Sequence, residues 1–153
     1  MHCWTTRCSR PVARRPAAPA PTPSRCGGPA ESRAFALLNA ERRRHGLPQL
    51  ACDPAALAVA RQHSADMCQR RYFSHWSPEG AAAGERLQAA GARFNAAGEN
   101  IAMGQLTAAR VHRSWMHSPG HRRNILRPDY TRAAVGLVQC DGALPYWTQV
   151  FMR

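Results

Sequence analysis

The chain has 153 residues, 44% of them hydrophobic, which is enough for one domain with a buried core. Its net charge is +12, from 21 basic residues against 9 acidic ones, and every basic residue is arginine. No stretch approaches the 18 or so apolar residues needed to span a membrane, and no RRM, helix-turn-helix or zinc-finger pattern supports dedicated nucleic-acid binding. The basic balance instead favours anionic partners such as phospholipid head groups or cell-wall polymers. The absence of lysine also fits a GC-rich coding bias, so the charge alone does not name a partner.

Residues 1–28 are rich in Pro, Ala and Arg and poor in large apolar groups, a composition that reads as a disordered tail. They lack the apolar run of roughly 7–15 residues that a secretory signal requires, so no signal peptide is legible. The domain is expected over residues 29–153. "PAESRAFALLNAERRRHG" predicts a first helix, with Pro29 in its first turn, Glu31 at the positive end of the dipole and Gly46 at its stop. The Arg42–Arg44 run reads as a solvated face. "CDPAALAVARQHSADMCQRR" predicts a second helix, capped by Asp53 with Pro54 at its first position. Its apolar stripe is Leu57, Ala60, Ser64, Met67 and Arg71, and His63 reads as structural. "GERLQAAG" predicts a short helix, "GENIAMG" a strand between glycines, and "LTAARVHRSWMHS" a helix capped by Thr107. Ser118-Pro119-Gly120 should stop that helix. Two strands flank the turn signal Asp141-Gly142. The order predicts an α+β layered domain with a small antiparallel sheet.

Six scattered cysteines (Cys3, Cys8, Cys26, Cys52, Cys68 and Cys140) with no CxxC pair favour disulfides and an oxidising compartment over a thiolate metal site. Cys52 and Cys68 flank one helix and stand about 22 Å apart at the helical rise, beyond disulfide reach. Cys26 is better placed for Cys52, with Cys140 as the rival partner.

Four chemically suitable groups stand at element boundaries: His75 after "YFS", Glu85 after Gly84, Glu99 after Gly98, and His121 after "SPG". Element ends on a rigid scaffold are where functional groups collect, and the adjoining glycines permit close backbone approach. No hydrolytic triad is legible: Ser74 adjoins His75 in sequence but has no acid partner.

The ordered motifs "LLNAERRRHGLPQL", "HSADM", "YFSHWSPEG", "GERLQAAG", "GENIAMG", "WMHSPGHRRNIL" and "YWTQVF" make residues 31–153 resemble the CAP superfamily, the SCP-like or pathogenesis-related-1 domain, in its short bacterial secreted branch. The resemblance implies an α-β-α sandwich with a small antiparallel sheet between helices. It also implies a cleft of two histidines and two acids, which fall at His75, Glu85, Glu99 and His121. Glu85 is matched by position only, and Glu79 in "SPEG" reads as a solvated turn residue. His75 and His121 are the implied ligands for Zn²⁺ or another divalent metal, with a carboxylate to orient an imidazole. Trp76 departs from the small polar residue commoner in that branch, and its bulk bears on ligand size. The resemblance further implies an extracellular or periplasmic monomer that binds a lipid, a sterol or an anionic cell-envelope ligand. The alternatives are a metal-dependent hydrolase using His75, His121 and a Glu, and a structural or defence-type extracellular protein in which the tetrad is a staple.

Overall fold

The computed structural model describes residues 25–140, 142 and 144–153. Most of the expected tail, with Cys3 and Cys8, lies outside the described residues, as does Asp141. The elements run α1 (Pro29–Arg44), β1 (Ala51–Cys52), α2 (Pro54–Arg70), α3 (Ala83–Ala89), β2 (Ala97–Met103), α4 (Ala108–His117), α5 (Pro119–Ile125), β3 (Arg132–Gln139) and β4 (Pro145–Met152). The sheet order is β1-β3-β4-β2. Its body is the antiparallel trio β3-β4-β2, and β1 adds a two-residue parallel edge against β3. Helices α1, α4 and α5 pack on one another over one face, and α2 with α3 covers the other. This is the expected α-β-α sandwich.

Local chemistry explains most of these elements. Asp53 caps α2 by accepting the Ala56 amide at 3.0 Å, with Pro54 at the first position. Thr107 caps α4 through the Arg110 amide at 3.2 Å. Glu31 accepts the Gly28 amide at 2.6 Å at the start of α1. It also takes Arg61 Nε at 2.8 Å and the Leu137 amide at 3.1 Å, so one buried carboxylate ties α1 to α2 and β3. Those bonds and the adjacent guanidinium outweigh desolvation and hold its pKa below the usual carboxylate range.

The buried stripe of α2 is Ala56, Val59, Ala60, His63, Ser64 and Met67. Leu57 is half-buried, and Arg71 is exposed in a left-handed cap conformation with φ 57°, so the stripe lies about one position from where the apolar residues alone put it. Small residues decide this. A Cβ on Gly136 of β3 would run into the backbone of Ala60 and Arg61. The helix therefore rests directly on the sheet, and Ser64 Oγ meets Thr148 Oγ1 of β4 at 2.8 Å in the dry interface.

Two expectations are corrected, on Cys26 and on Arg42. Cys26, assigned to the tail, is fully buried and disulfide-bonded to Cys52, with Cα atoms 5.7 Å apart, so the packed region begins before Pro29. The Cys26–Cys52 bond is the favoured pairing, and the second bridge joins Cys68 to Cys140, Cα atoms 5.9 Å apart, which rules out the rival Cys52–Cys140. Arg42 is fully buried rather than solvated. The "SPG" break stops α4 at His117 as expected, and a separate short helix follows it. Ser118 is extended, and Pro119 opens α5.

Candidate functional site

His75 stands in the loop between α2 and α3, Glu99 in the buried part of β2, and His121 in the first turn of α5. His75 Nδ1–H donates to Glu99 Oε1 at 2.9 Å. That bond holds the proton of the neutral ring on Nδ1 and leaves the lone pair on Nε2. His75 is 41% exposed and Glu99 only 4%, so a buried carboxylate orients an accessible imidazole. Burial, and then the proximity of charge on His75, push the pKa of His121 below the ordinary histidine value. Burial therefore favours the neutral, ligating form of His121.

The frame around them is backbone-deep. Asn100 Nδ2 donates to the His121 carbonyl at 3.1 Å and to Gln149 Oε1 at 3.0 Å. Asn124 Nδ2 donates to the Glu99 carbonyl at 3.0 Å and to Asn100 Oδ1 at 2.9 Å. These amides lock α5 onto β2 and fix His121 relative to Glu99. Gly98 is required here, because a Cβ would collide with the Tyr130 hydroxyl.

Glu85 does not join this arrangement. Its carboxylate is exposed and accepts the Ala82 amide at 3.0 Å, turning back onto its own helix start. An acid at the third helical position satisfies an orphan amide there, and that outcompetes a reach into the cleft. The charged partner from "GERL" is the next residue. Arg86 Nη2 donates to Glu99 Oε2 at 2.5 Å, and Nη1 donates to the carbonyls of His75 at 3.1 Å and Ala81 at 2.6 Å. One guanidinium therefore holds both the orienting acid and the backbone of the oriented base. Glu79 lies apart, paired with Arg70 at 2.6 Å on the surface.

Sequence reasoning missed Arg86, and it read His63 as structural without placing it beside Glu99. His63 is buried, its Nε2–H donates to the Ser74 carbonyl at 2.9 Å, and the same nitrogen stands 3.9 Å from Glu99 Oε1. Its Nδ1 has no hydrogen-bond partner among the described residues. Desolvation, the largest influence, keeps its pKa low despite Glu99. The signal for both lay in helical phase: α2 turns His63 inward, and a helix starting at Ala83 points Glu85 back and Arg86 in.

Trp76 is 59% exposed and stands edge-on to His75, ring centroids 6.3 Å apart, as a flanking wall. A groove of about 700 Å³ runs beside the site between α2, α3 and their loop, lined by His63, Asp66, Arg70, Glu79 and Arg86 among others. It adjoins the Glu99–Arg86 pair but not His75 or His121.

His63, His112 and His121 all have pKa values lowered chiefly by burial. In the unfolded chain each takes up a proton near pH 6.5. Below that pH the unfolded state binds more protons, so folding stability falls with pH through the window beneath 6.5 and is flat above it. Urea midpoints at pH 8, 7, 6 and 5 should be level between the first two and decline after. A midpoint unchanged down to pH 5 would contradict the burial of neutral imidazoles.

Comparison with known proteins matches residues 35–151 to the model of the CAP, or cysteine-rich secretory protein, family. The chain is 41% identical over 122 residues to the uncharacterized protein YkwD of Bacillus subtilis (strain 168), covering 80% of the chain and 46% of that protein. Among solved structures it is similar to an extracellular protein containing a SCP domain from Bacillus anthracis str. Ames. There the TM-score is 0.76 at 39% identity, over 81% of this chain and 40% of that one. An outer surface protein of Borrelia burgdorferi shares the fold at 19% identity and TM-score 0.73, over 78% of this chain and 88% of that one. The chain thus spans less than half the length of its two more similar relatives.

Proposed function

Because the chain belongs to the CAP family, the cysteine-rich secretory proteins, we propose that it is an extracellular binding module whose His75–Glu99–His121 cleft holds a lipid, sterol or cell-envelope ligand, assisted by a divalent cation such as Zn²⁺. The observation that carries this reading is the buried Glu99 carboxylate fixing His75 with its Nε2 lone pair free, while His121 favours the neutral state. Neutral imidazoles with a carboxylate on the far nitrogen are the donor chemistry such a cation requires. Among the described residues no group of three or more His, Cys, Asp or Glu side chains is placed to hold a metal ion, so a cation there would have His75 and His121 as its protein ligands and take its remaining positions from water or the ligand. A bound cation would supply positive charge to an oxygen of the ligand. Arg86 holds the Glu99 carboxylate in place, and Trp76 offers an apolar wall beside it. Two disulfides among the described residues fit the oxidising exterior, as does the relative described as extracellular.

Calorimetric titration with Zn²⁺ tests this. Wild type should bind, His75→Ala/His121→Ala should not, and Glu99→Gln should bind about 10–100-fold more weakly. Affinity should fall at acid pH, where protonated imidazoles cannot ligate. Equal binding by the double variant, or pH-independent affinity, would move the site elsewhere. A hydrolase screen run in parallel decides between module and enzyme: turnover lost in the double variant would establish metal-dependent hydrolysis. Absence of both binding and turnover would leave the structural staple.

A further inference from the structure

The arginines are not neutralised evenly. On α2, α3 and the sheet they meet carboxylates: Arg61 with Glu31, Arg70 with Asp66 and Glu79, Arg86 with Glu99, and Arg132 with Asp53. On the outer surface of α4, Arg110 and Arg113 are exposed and have no ion pair with any described residue. They line a shallow depression with Ser114, His117 and Ser118, spaced to follow one helical stripe. From Arg110 to His117 the stripe is about 10 Å long.

At the N-terminal end of this stripe the surface changes character. Leu106, one residue before the Thr107 cap, is 66% exposed, Leu144 just before β4 is 51% exposed, and Met103 at the end of β2 is 38% exposed. These three sit at one corner. Gly104, with φ +96°, turns the chain there, and a Cβ on it would touch Leu144 Cδ1 at 3.4 Å. The corner is tied to the sheet: the Gly104 amide bonds the Pro145 carbonyl at 2.9 Å, and Trp147 Nε1 bonds the Gln105 carbonyl at 2.8 Å. Side chains held out to water by a fixed backbone gain nothing in the free protein, and burying them elsewhere is favourable.

We propose that Leu106, Leu144 and Met103 form an apolar tip that enters the head-group region of an anionic lipid bilayer, with Arg110 and Arg113 set against the lipid phosphates. Each half of the patch matches one half of that occupant: the tip needs an apolar medium, and the stripe needs negative charge. A soluble polyanion would satisfy the arginines but give the leucines nothing to enter. A second copy of the chain would bring the two arginine stripes together without counter-charge, over a patch far smaller than a stable interface. The tip does not involve His75, Glu99 or His121, so docking is separate from the cleft reading.

The test is sedimentation of the full chain with vesicles of equal phosphatidylglycerol and phosphatidylcholine, beside phosphatidylcholine alone. Binding is expected to the anionic vesicles only, and to weaken with salt. An arginine near an anionic surface is worth about fivefold in partitioning, so Arg110→Ser/Arg113→Ser should lose about 25-fold. Leu106→Ser/Leu144→Ser should lose at least tenfold, yet keep wild-type zinc titration and thermal midpoint. If the leucine variant binds as wild type, the attraction is simple polyanion binding and the tip is wrong. If the arginine variant binds as wild type, other arginines such as those of residues 1–24 carry it, and the proposal falls. Equal binding to neutral vesicles also overturns it.

Discussion

Replacing Arg42 by methionine is expected to cost about 4 kcal/mol of folding stability, among the larger effects available to a single substitution. The guanidinium is fully buried and meets no carboxylate among the described residues. Its donors go instead to four carbonyls: Pro48 at 2.8 Å, Ile125 at 2.9 Å, Arg127 at 2.8 Å and Tyr130 at 3.4 Å. Two of these belong to the end of α5 and the turn after it, where helix carbonyls lack internal partners. Burial lowers the pKa of Arg42, and the group stays charged. Methionine replaces only the aliphatic stem and leaves the carbonyls unpaired in a dry interior, each a cost of about 1–3 kcal/mol before relaxation. The thermal midpoint should fall on the order of 10–15 °C. Because α5 carries His121, the zinc binding proposed above should weaken as well. A loss below about 1 kcal/mol would mean that water replaces the guanidinium.

A chain starting at Pro29 should be about 3–4 kcal/mol less stable than one starting at Arg25. The four-residue difference removes Cys26 and its bond to Cys52, which closes a sequence separation of 26 residues. Chain entropy alone assigns a loop of that size about 3.5 kcal/mol. The Gly28 amide that Glu31 accepts disappears too. Denaturant unfolding of both chains, with and without reductant, checks the cause. Reductant should remove most of the difference, and a gap that persists unchanged would assign it to packing of residues 25–28.

Where local chemistry and burial agree, the fold was legible in the residues. α2 announces itself through Asp53 and Pro54, α4 through Thr107 and its apolar face, and β2 through an apolar run between glycines. What escaped was decided by tertiary contact. β1 is two residues long and exists because β3 lies beside it. Arg42 reads as one of three solvated arginines until α5 delivers the carbonyls it bonds. In the site, His75, Glu99 and His121 are marked by resemblance and by their boundary positions. Glu85 and Arg86 are neighbours separated by one helical step of about 100°. Without the helix start fixed at Ala83, nothing in "GERL" tells which of the two turns inward, and matching by position selects the acid instead of the arginine.

Gly136 has a consequence for how the cleft breathes. With no side chain between them, α2 and β3 are in backbone contact, and Ser64 bonded to Thr148 pins the same helix to β4. Helix and sheet therefore move as one block, and Glu99 belongs to it through β2. The paired amides of Asn100 and Asn124 attach α5, with His121, to the same block. His75 and Trp76 ride instead on the segment from 71 to 82, fastened by side-chain bonds from Tyr72 to Asp66, from His63 to Ser74 and from Arg86 to His75. Arg86 reaches from α3 to the carbonyls of His75 and Ala81 on this segment and to Glu99 on the sheet, so one guanidinium sets the position of the segment over the sheet.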